Sequence, residues 1–355
     1  MDLEKVQKME QSIKNLEDKT ARIYFLVQDT KGNPKAGIRY IYQMALTLRN
    51  SGYVNTIIIH ESKDYKGVGD WLGQEYMELP HQTIEGENLQ IAPEDLIVIP
   101  ELYGHVMDQL KNFPCGKIVL CQAYDHMLET LAPGTNWSTY GFYKCITTSE
   151  FQKKYISEIM RGTSIDVIEP LIPNIFSKKD KPSKPIISIH TRDPRDTANI
   201  IKTFYLKYPQ FRWITFRDLR GINQNDFSKF LKESFVSVWV DNESGFGTFP
   251  LESMASGTPV IGKIPNLSPS WMTEMNGIWA PNANEIVDII SNFLQNWLED
   301  NITENLYVNM SETIKPYQNE GYFTEGVLKH FGEYFEGRKG SFVEQIEKIK
   351  ITEEN

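Results

Sequence analysis

No stretch of this sequence approaches the roughly 20 consecutive apolar residues that a membrane-spanning helix requires, so no membrane span is expected. Cysteine is scarce: Cys115, Cys121 and Cys145 are the 3 in 355 residues, an odd set without metal-type spacing. A reduced protein is therefore expected, with the cytoplasm as its compartment. Positive charge is in deficit, with 37 Lys and Arg against 47 Asp and Glu and a formal net charge of -10. The mean field of such a chain repels nucleic acid and anionic lipid, although local patches can override it. The densest basic groups are Lys153, Lys154 and Arg161, then Lys178, Lys179, Lys181 and Lys184. Runs of that size are usually solvated surface. No internal repeat with a period of roughly 20 to 50 residues is present. The charged opening, MDLEKVQKMEQSIKNLEDKT, has helical spacing and is not expected to be a secretory signal.

What is there is ordinary for a soluble enzyme: 40% hydrophobic and 24% charged residues. The length suits two domains of about 170 residues each. After the leading helix, ARIYFLVQD reads as a buried strand, TKGNPKAG as a loop, IRYIYQMALTLRNSGY as a helix stopped at Gly52, and NTIIIH as a second strand. That is the βαβ unit of a parallel sheet. DLIVIPE and GKIVLCQAYDH repeat the strand pattern, and KCITTSEFQKKYISEIMRG enters a helix with Ser149 as its N-cap. The tract PNIFSKKDKPSKP, residues 173–185, has the composition of a linker. Beyond it the alternation restarts, with strands PIISIH, FRWITF, FVSVWV and TPVIG separated by helices, and the last fifty or so residues read as helical. The expectation is an α/β chain of two Rossmann-like domains, residues 1–175 and 176–355, facing a central cleft.

One passage carries more special residues than a turn needs: ESGFGTFPLESMASGTPVIG, Glu243 to Gly262. Pro250 suits the first position of a helix, Glu252 the third and Gly257 the position just past its end. Such a helix tip offers unpaired N–H groups and a partial positive charge. Gly245 and Gly247 let a ligand approach the backbone closely. A carboxylate at Glu252 can accept hydrogen bonds from two vicinal hydroxyls, or simply complement the helix dipole.

Taken with the preceding strand, SGFGTFPLESMASGTPVIG resembles the signature of the two-Rossmann (GT-B) glycosyltransferases, the large retaining group that uses nucleotide-sugar donors. More weakly, KAGIRYIYQMALTL, CITTSEFQKKYI and VIEPLIPNIF resemble that family's first glycine loop, its Ser-x-x-x-Lys strand end and its stretch before the interdomain linker. The resemblance implies that Glu252 binds the donor ribose, and that Gly245, Phe246, Gly247 and Thr248 form the loop around the transferred sugar. The family's first glutamate falls on Ser244, with Glu243 one position earlier. Either Glu243 substitutes through a shifted loop or Ser244 makes a weaker contact. Arg192 takes the place of the phosphate-binding arginine, while the family's lysine falls on Thr197. Arg195 or Lys202 could supply that second charge, unless Arg195 pairs with Asp193 or Asp196 instead. In the first domain Gly37 matches the loop near the donor phosphates or acceptor, and His126 loosely matches a histidine beside the reacting carbon. Glu101, Tyr103, His105 and Asp125 are candidate acceptor contacts. No Asp-x-Asp triplet, the metal clamp of the other major glycosyltransferase fold, occurs in the chain. The expectation is a metal-independent, retaining hexosyltransferase with no bound cofactor, a UDP- or GDP-linked sugar as co-substrate, and a hydroxyl acceptor that is a saccharide or lipid-linked glycan. Two alternatives remain: a degenerate module that binds a sugar nucleotide or a protein, suggested by Ser244, and a phage-type modified-DNA glycosyltransferase, disfavoured by the -10 charge.

Overall fold

The computed structural model describes residues 2–86, 89–177 and 184–354. Part of the linker tract, including Lys178, Lys179 and Lys181, lies outside the described residues. The chain divides into two compact units. The first comprises Met1–Thr147, Tyr155–Ile168 and Gly321–Asn355, and the second Thr148–Lys154 and Glu169–Glu320.

The first unit is built on seven strands: β1 (Ile23–Val27), β2 (Thr56–His60), β3 (His81–Thr83), β4 (Leu96–Pro100), β5 (Gly116–Cys121), β6 (Lys144–Thr147) and β7 (Ser164–Val167). They pair in the order β3-β2-β1-β4-β5-β6-β7, all parallel. Its first six places are the Rossmann order, with the topological switch between β1 and β4. Strands β1, β2, β4 and β5 are buried at every position, which is why they read as continuous apolar runs and not as alternating ones. Helices α1 (Asp2–Glu17), α2 (Ala36–Asn50) and α3 (Gly104–Leu110) belong to this unit, and the division between the units falls within α4 (Glu150–Ile159).

The second unit has five strands: β8 (Lys184–Thr191), β9 (Thr215–Asp218), β10 (Ser234–Val240), β11 (Val260–Lys263) and β12 (Ile278–Ala280). The order β12-β11-β10-β8-β9, again all parallel, is that of a doubly wound sheet with its switch between β8 and β10. Its helices are α5 (Pro194–Lys207), α6 (Gln224–Glu233), α7 (Thr248–Ala255), α8 (Ile286–Leu298) and α9 (Glu304–Ile314). One apolar cluster gathers Phe204, Phe235 and Ile290 with their neighbours, and another gathers Trp239, Phe249 and Leu251. The expected α/β class with two Rossmann-like units is what the structure shows. Among the described residues no helix is long and apolar enough to cross a membrane.

The boundaries differ from the linear division at 175 and 176. The closing helix α10 (Glu320–Glu354) lies almost wholly with the first unit. Phe331 sets its ring 6.0 Å from Phe25, Phe335 stacks on Tyr53 at 5.4 Å, and the Tyr334 hydroxyl accepts the Lys117 N–H at 3.0 Å. An apolar helical face follows the surface it fits, and nothing local in its sequence says which sheet that is. The strand expected from Phe211 begins at Thr215, because Phe211 closes a short turn (Pro209–Phe211) and packs on Phe204.

Candidate functional site

In open parallel sheets, ligands bind beyond the carboxyl ends of the strands at the switch point. In the second unit that point is where β8 runs into Arg192 and β10 into Asp241–Gly247. The two ends are tied: Arg192 N donates to Val240 O at 2.9 Å, and its guanidinium lies 3.5 Å from Asp241 Oδ1. Asp241 also accepts the Glu243 N–H at 3.0 Å, so it sets the direction in which the chain leaves β10. Asn266, beyond the end of β11, donates to Glu243 Oε1 at 3.0 Å and through its backbone to Asn242 O at 2.8 Å. Lys263 bonds the Asn242 carboxamide and brings a second positive charge to this loop. Sequence reading missed Asp241, Asn266 and Lys263: Asp241 directs the loop from the end of β10, and Lys263 and Asn266 reach it from the end of β11.

The loop then turns into α7. Gly247 has φ +74, the left-handed region, and its N–H donates to Ser244 Oγ at 2.9 Å. A Cβ at Gly247 would sit 3.0 Å from Trp271 Cζ2, so both conformation and space call for glycine. The helix starts at Thr248, two residues earlier than Pro250, and Glu252 is its fifth residue, not its third. Gly257, with φ +71, ends the element as expected. Phe249 to Ala255 are all buried, Glu252 among them at 4% exposure, while Thr248 at the tip is half-buried.

On the β8 side Arg195 grips Asp193 through Nε and Nη2 at 2.8 and 2.6 Å with its side chain 86% exposed, the neighbour pairing that was one of its two expected uses. Asp193 in turn caps α5 by accepting the Arg195 N–H at 2.8 Å. Lys202 is exposed on α5. Thr197 is buried against Thr191, their hydroxyls 2.6 Å apart, and carries no charge to replace the family's lysine. His190 stacks on Phe249 at 5.1 Å, and burial lowers its pKa to about 4, so the ring is neutral.

In the first unit the candidates fall into two groups at the carboxyl ends of β2, β4 and β5. The buried Glu101 accepts the Ala123 N–H at 2.8 Å, and burial raises its carboxyl to about 7. Glu101 Oε2 has no partner among the described residues. Beside it, His126 Nδ1 lies 3.1 Å from Glu129 Oε2, and its Nε2 is 3.9 Å from Asp125 Oδ2. The space above Gly37 is taken by Gln122, whose Oε1 would lie 2.9 Å from a Cβ there. The other group converges on Glu61, a residue sequence reading did not single out. The Tyr103 hydroxyl donates to Glu61 Oε2 at 3.2 Å, and His105 Nε2 is 3.9 Å from Glu61 Oε1.

No protein-family model matches the chain. The fold is GT-B, and its structural relatives are glycosyltransferases. Sucrose-phosphate synthase from Thermosynechococcus elongatus superposes with a TM-score of 0.63 at 13% identity, covering 89% of this chain and 100% of that one. HepE from Anabaena, solved with UDP and glucose, superposes with a TM-score of 0.63 at 12% identity, covering 89% and 99%. In sequence, an α-1,6-glucosyltransferase of Actinobacillus pleuropneumoniae serotype 7 (strain AP76) is 25% identical over 193 residues, 51% of this chain. The match spans 56% of that relative's length.

Proposed function

We propose that the chain is a glycosyltransferase that moves a hexose from a UDP- or GDP-linked donor to a hydroxyl acceptor. The observation that carries this reading is the Asp241–Thr248 loop at the β8/β10 switch point, with Arg192 on one side and Lys263 reaching it from β11. The UDP and glucose bound to HepE, its UDP-glucose complex and the name of the Actinobacillus relative support it.

In this reading Arg192 and Lys263 face the diphosphate, whose negative charge grows as the glycosidic bond breaks. Glu252 holds the ribose hydroxyls. Ser244 Oγ accepts the Gly247 N–H, and Glu243 is assigned as the carboxylate of this loop that reaches the donor sugar. His126 lies near the reacting carbon, and Tyr103, His105, Asp125 and Glu101 shape the acceptor side, Glu101 from beneath as a buried anchor. The acceptor oxygen attacks the anomeric carbon from the face the phosphate leaves, its proton passes to the departing phosphate oxygen, and the nucleoside diphosphate is released. That course keeps the anomeric configuration. A saccharide or lipid-linked glycan suits the -10 charge better than DNA does. Three buried, unpaired cysteines fit a reducing cytoplasm.

The test is donor turnover with a panel of saccharide acceptors, with and without EDTA, following the product's anomeric proton by NMR. The reading expects transfer that survives EDTA and an unchanged anomeric configuration. Loss of transfer in EDTA would overturn metal independence, and an inverted product would overturn the front-face course.

A further inference from the structure

Two successive carbonyls of the Ser244–Gly247 loop are held by buried side-chain donors. Ser149 Oγ donates to Gly245 O at 2.8 Å, and Trp271 Nε1 donates to Phe246 O at 2.7 Å. All these residues belong to the second unit, which includes Thr148–Lys154. Ser149 is 1% exposed and is the N-cap of α4: its Oγ accepts the Gln152 N–H at 3.3 Å. Gln152 is fully buried and lies over Gly245, where a Cβ would come within 1.5 Å of Gln152 Nε2. Gly245 is not among the glycines with positive φ, so the close approach of Gln152, not backbone conformation, is what requires glycine there.

The consequence is directional. In a trans peptide the carbonyl of one residue and the N–H of the next point in opposite directions. Holding Gly245 O on Ser149 therefore turns the Phe246 N–H away from α4. Holding Phe246 O on Trp271 turns the Gly247 N–H the opposite way, where it meets Ser244 Oγ at 2.9 Å. Among the described residues the Phe246 N–H meets no acceptor. A buried peptide donor left in that state costs free energy unless a ligand or water accepts from it.

We propose that Ser149, seated by Gln152, is a positioning residue that orients the Gly245–Phe246 peptide so that the Phe246 N–H meets the bound donor. This rests on the glycosyltransferase reading above. Neither residue touches the donor; both act through the peptide plane.

Two measurements test it. The first needs no ligand: thermal stability of Gln152→Ala, Gly245→Ala and the pair. Gly245→Ala alone drives a methyl into Gln152 and is expected to lower the melting temperature clearly. Gln152→Ala removes the three atoms nearest to that methyl, so in its background the same change is expected to cost much less. Strictly additive losses would show that the two residues do not press on each other and would overturn the proposal. The second is UDP-glucose hydrolysis by Ser149→Ala and Ser149→Thr, with UDP affinity measured in parallel. Ser149→Ala is expected to lower kcat by about 10- to 100-fold, as a misaligned donor group does. KM and UDP affinity should stay within about threefold, and the hydroxyl of Ser149→Thr should restore most of the rate. Unchanged kcat in Ser149→Ala would sink the proposal while leaving the glycosyltransferase reading intact. If the wild-type protein binds no UDP- or GDP-linked sugar even though the Gln152–Gly245 coupling is present, the parent reading fails and takes this one with it.

Discussion

At the scale of single residues, Glu101 sets burial against chemistry. Its carboxyl is buried at the end of β4, accepts the Ala123 N–H, and is raised to about 7 from the ordinary 4.5. A raised folded-state value means that the fold favours the neutral form. Its contribution to stability is whole below about pH 4.5 and is lost as pH rises through about 7. Glu101→Gln keeps an acceptor for the Ala123 N–H and removes the titration. The variant should therefore gain on the wild type across that interval, by up to about 3 kcal/mol above pH 7, since each pKa unit corresponds to about 1.4 kcal/mol. Melting curves of both proteins from pH 4.5 to 8 read the difference directly, and parallel curves would refute the assignment. Glu101 was legible from sequence as a strand-end carboxylate, but its burial was not. It was expected among the acceptor contacts, and the structure bonds it to the Ala123 N–H just past β5. The same limit applies to Ser244 and Ser149. Their place in the pattern could be read, but the atoms they hold, Gly247 N and Gly245 O, could not.

At the scale of elements, the strands buried on both faces were plain, because their apolar runs of five or six β-branched-rich residues are too short for a helix and lie between polar loops. The βαβ unit from Ile23 to His60 is one case, and β10 with the loop and helix after it is another. Short edge strands were not legible. β3 (His-Gln-Thr), β7 (Ser-Ile-Asp-Val) and β12 (Ile-Trp-Ala) have 3 or 4 residues each, too few to show a period. The start of α7 was misplaced by two residues. Pro250 signals a first position, but the left-handed Gly247 and its bond to Ser244 Oγ begin the helix at Thr248. Helix α10 was readable as a helix and not as part of the first unit, since that choice rests on contacts far apart in sequence. Phe331 is fully buried against Phe25, so Phe331→Ala should cost about 3 to 5 kcal/mol in urea unfolding monitored on the first unit. A loss below about 1 kcal/mol would mean that α10 is not a structural part of that unit.

At the scale of the whole molecule, two parallel α/β units account for the length, the alternation and the position of the signature passage in the second unit's switch point. The acidic balance of the chain makes the local cations informative. Arg192 and Lys263 converge on the β10 loop from β8 and β11, and Glu252 is buried in the helix that follows. Nucleotide binding at this loop is the central claim. The most direct measurement is calorimetry of the wild-type protein, Arg192→Ala and Glu252→Ala against UDP, GDP, ADP and CDP and their common sugar conjugates. The wild type is predicted to bind one uridine or guanosine nucleotide at micromolar concentration. Both variants, still folded by melting temperature, should lose at least about tenfold in affinity, the worth of roughly one charge-assisted hydrogen bond. A wild-type protein that binds none of the four, or variants that bind as well as it does, would contradict that claim.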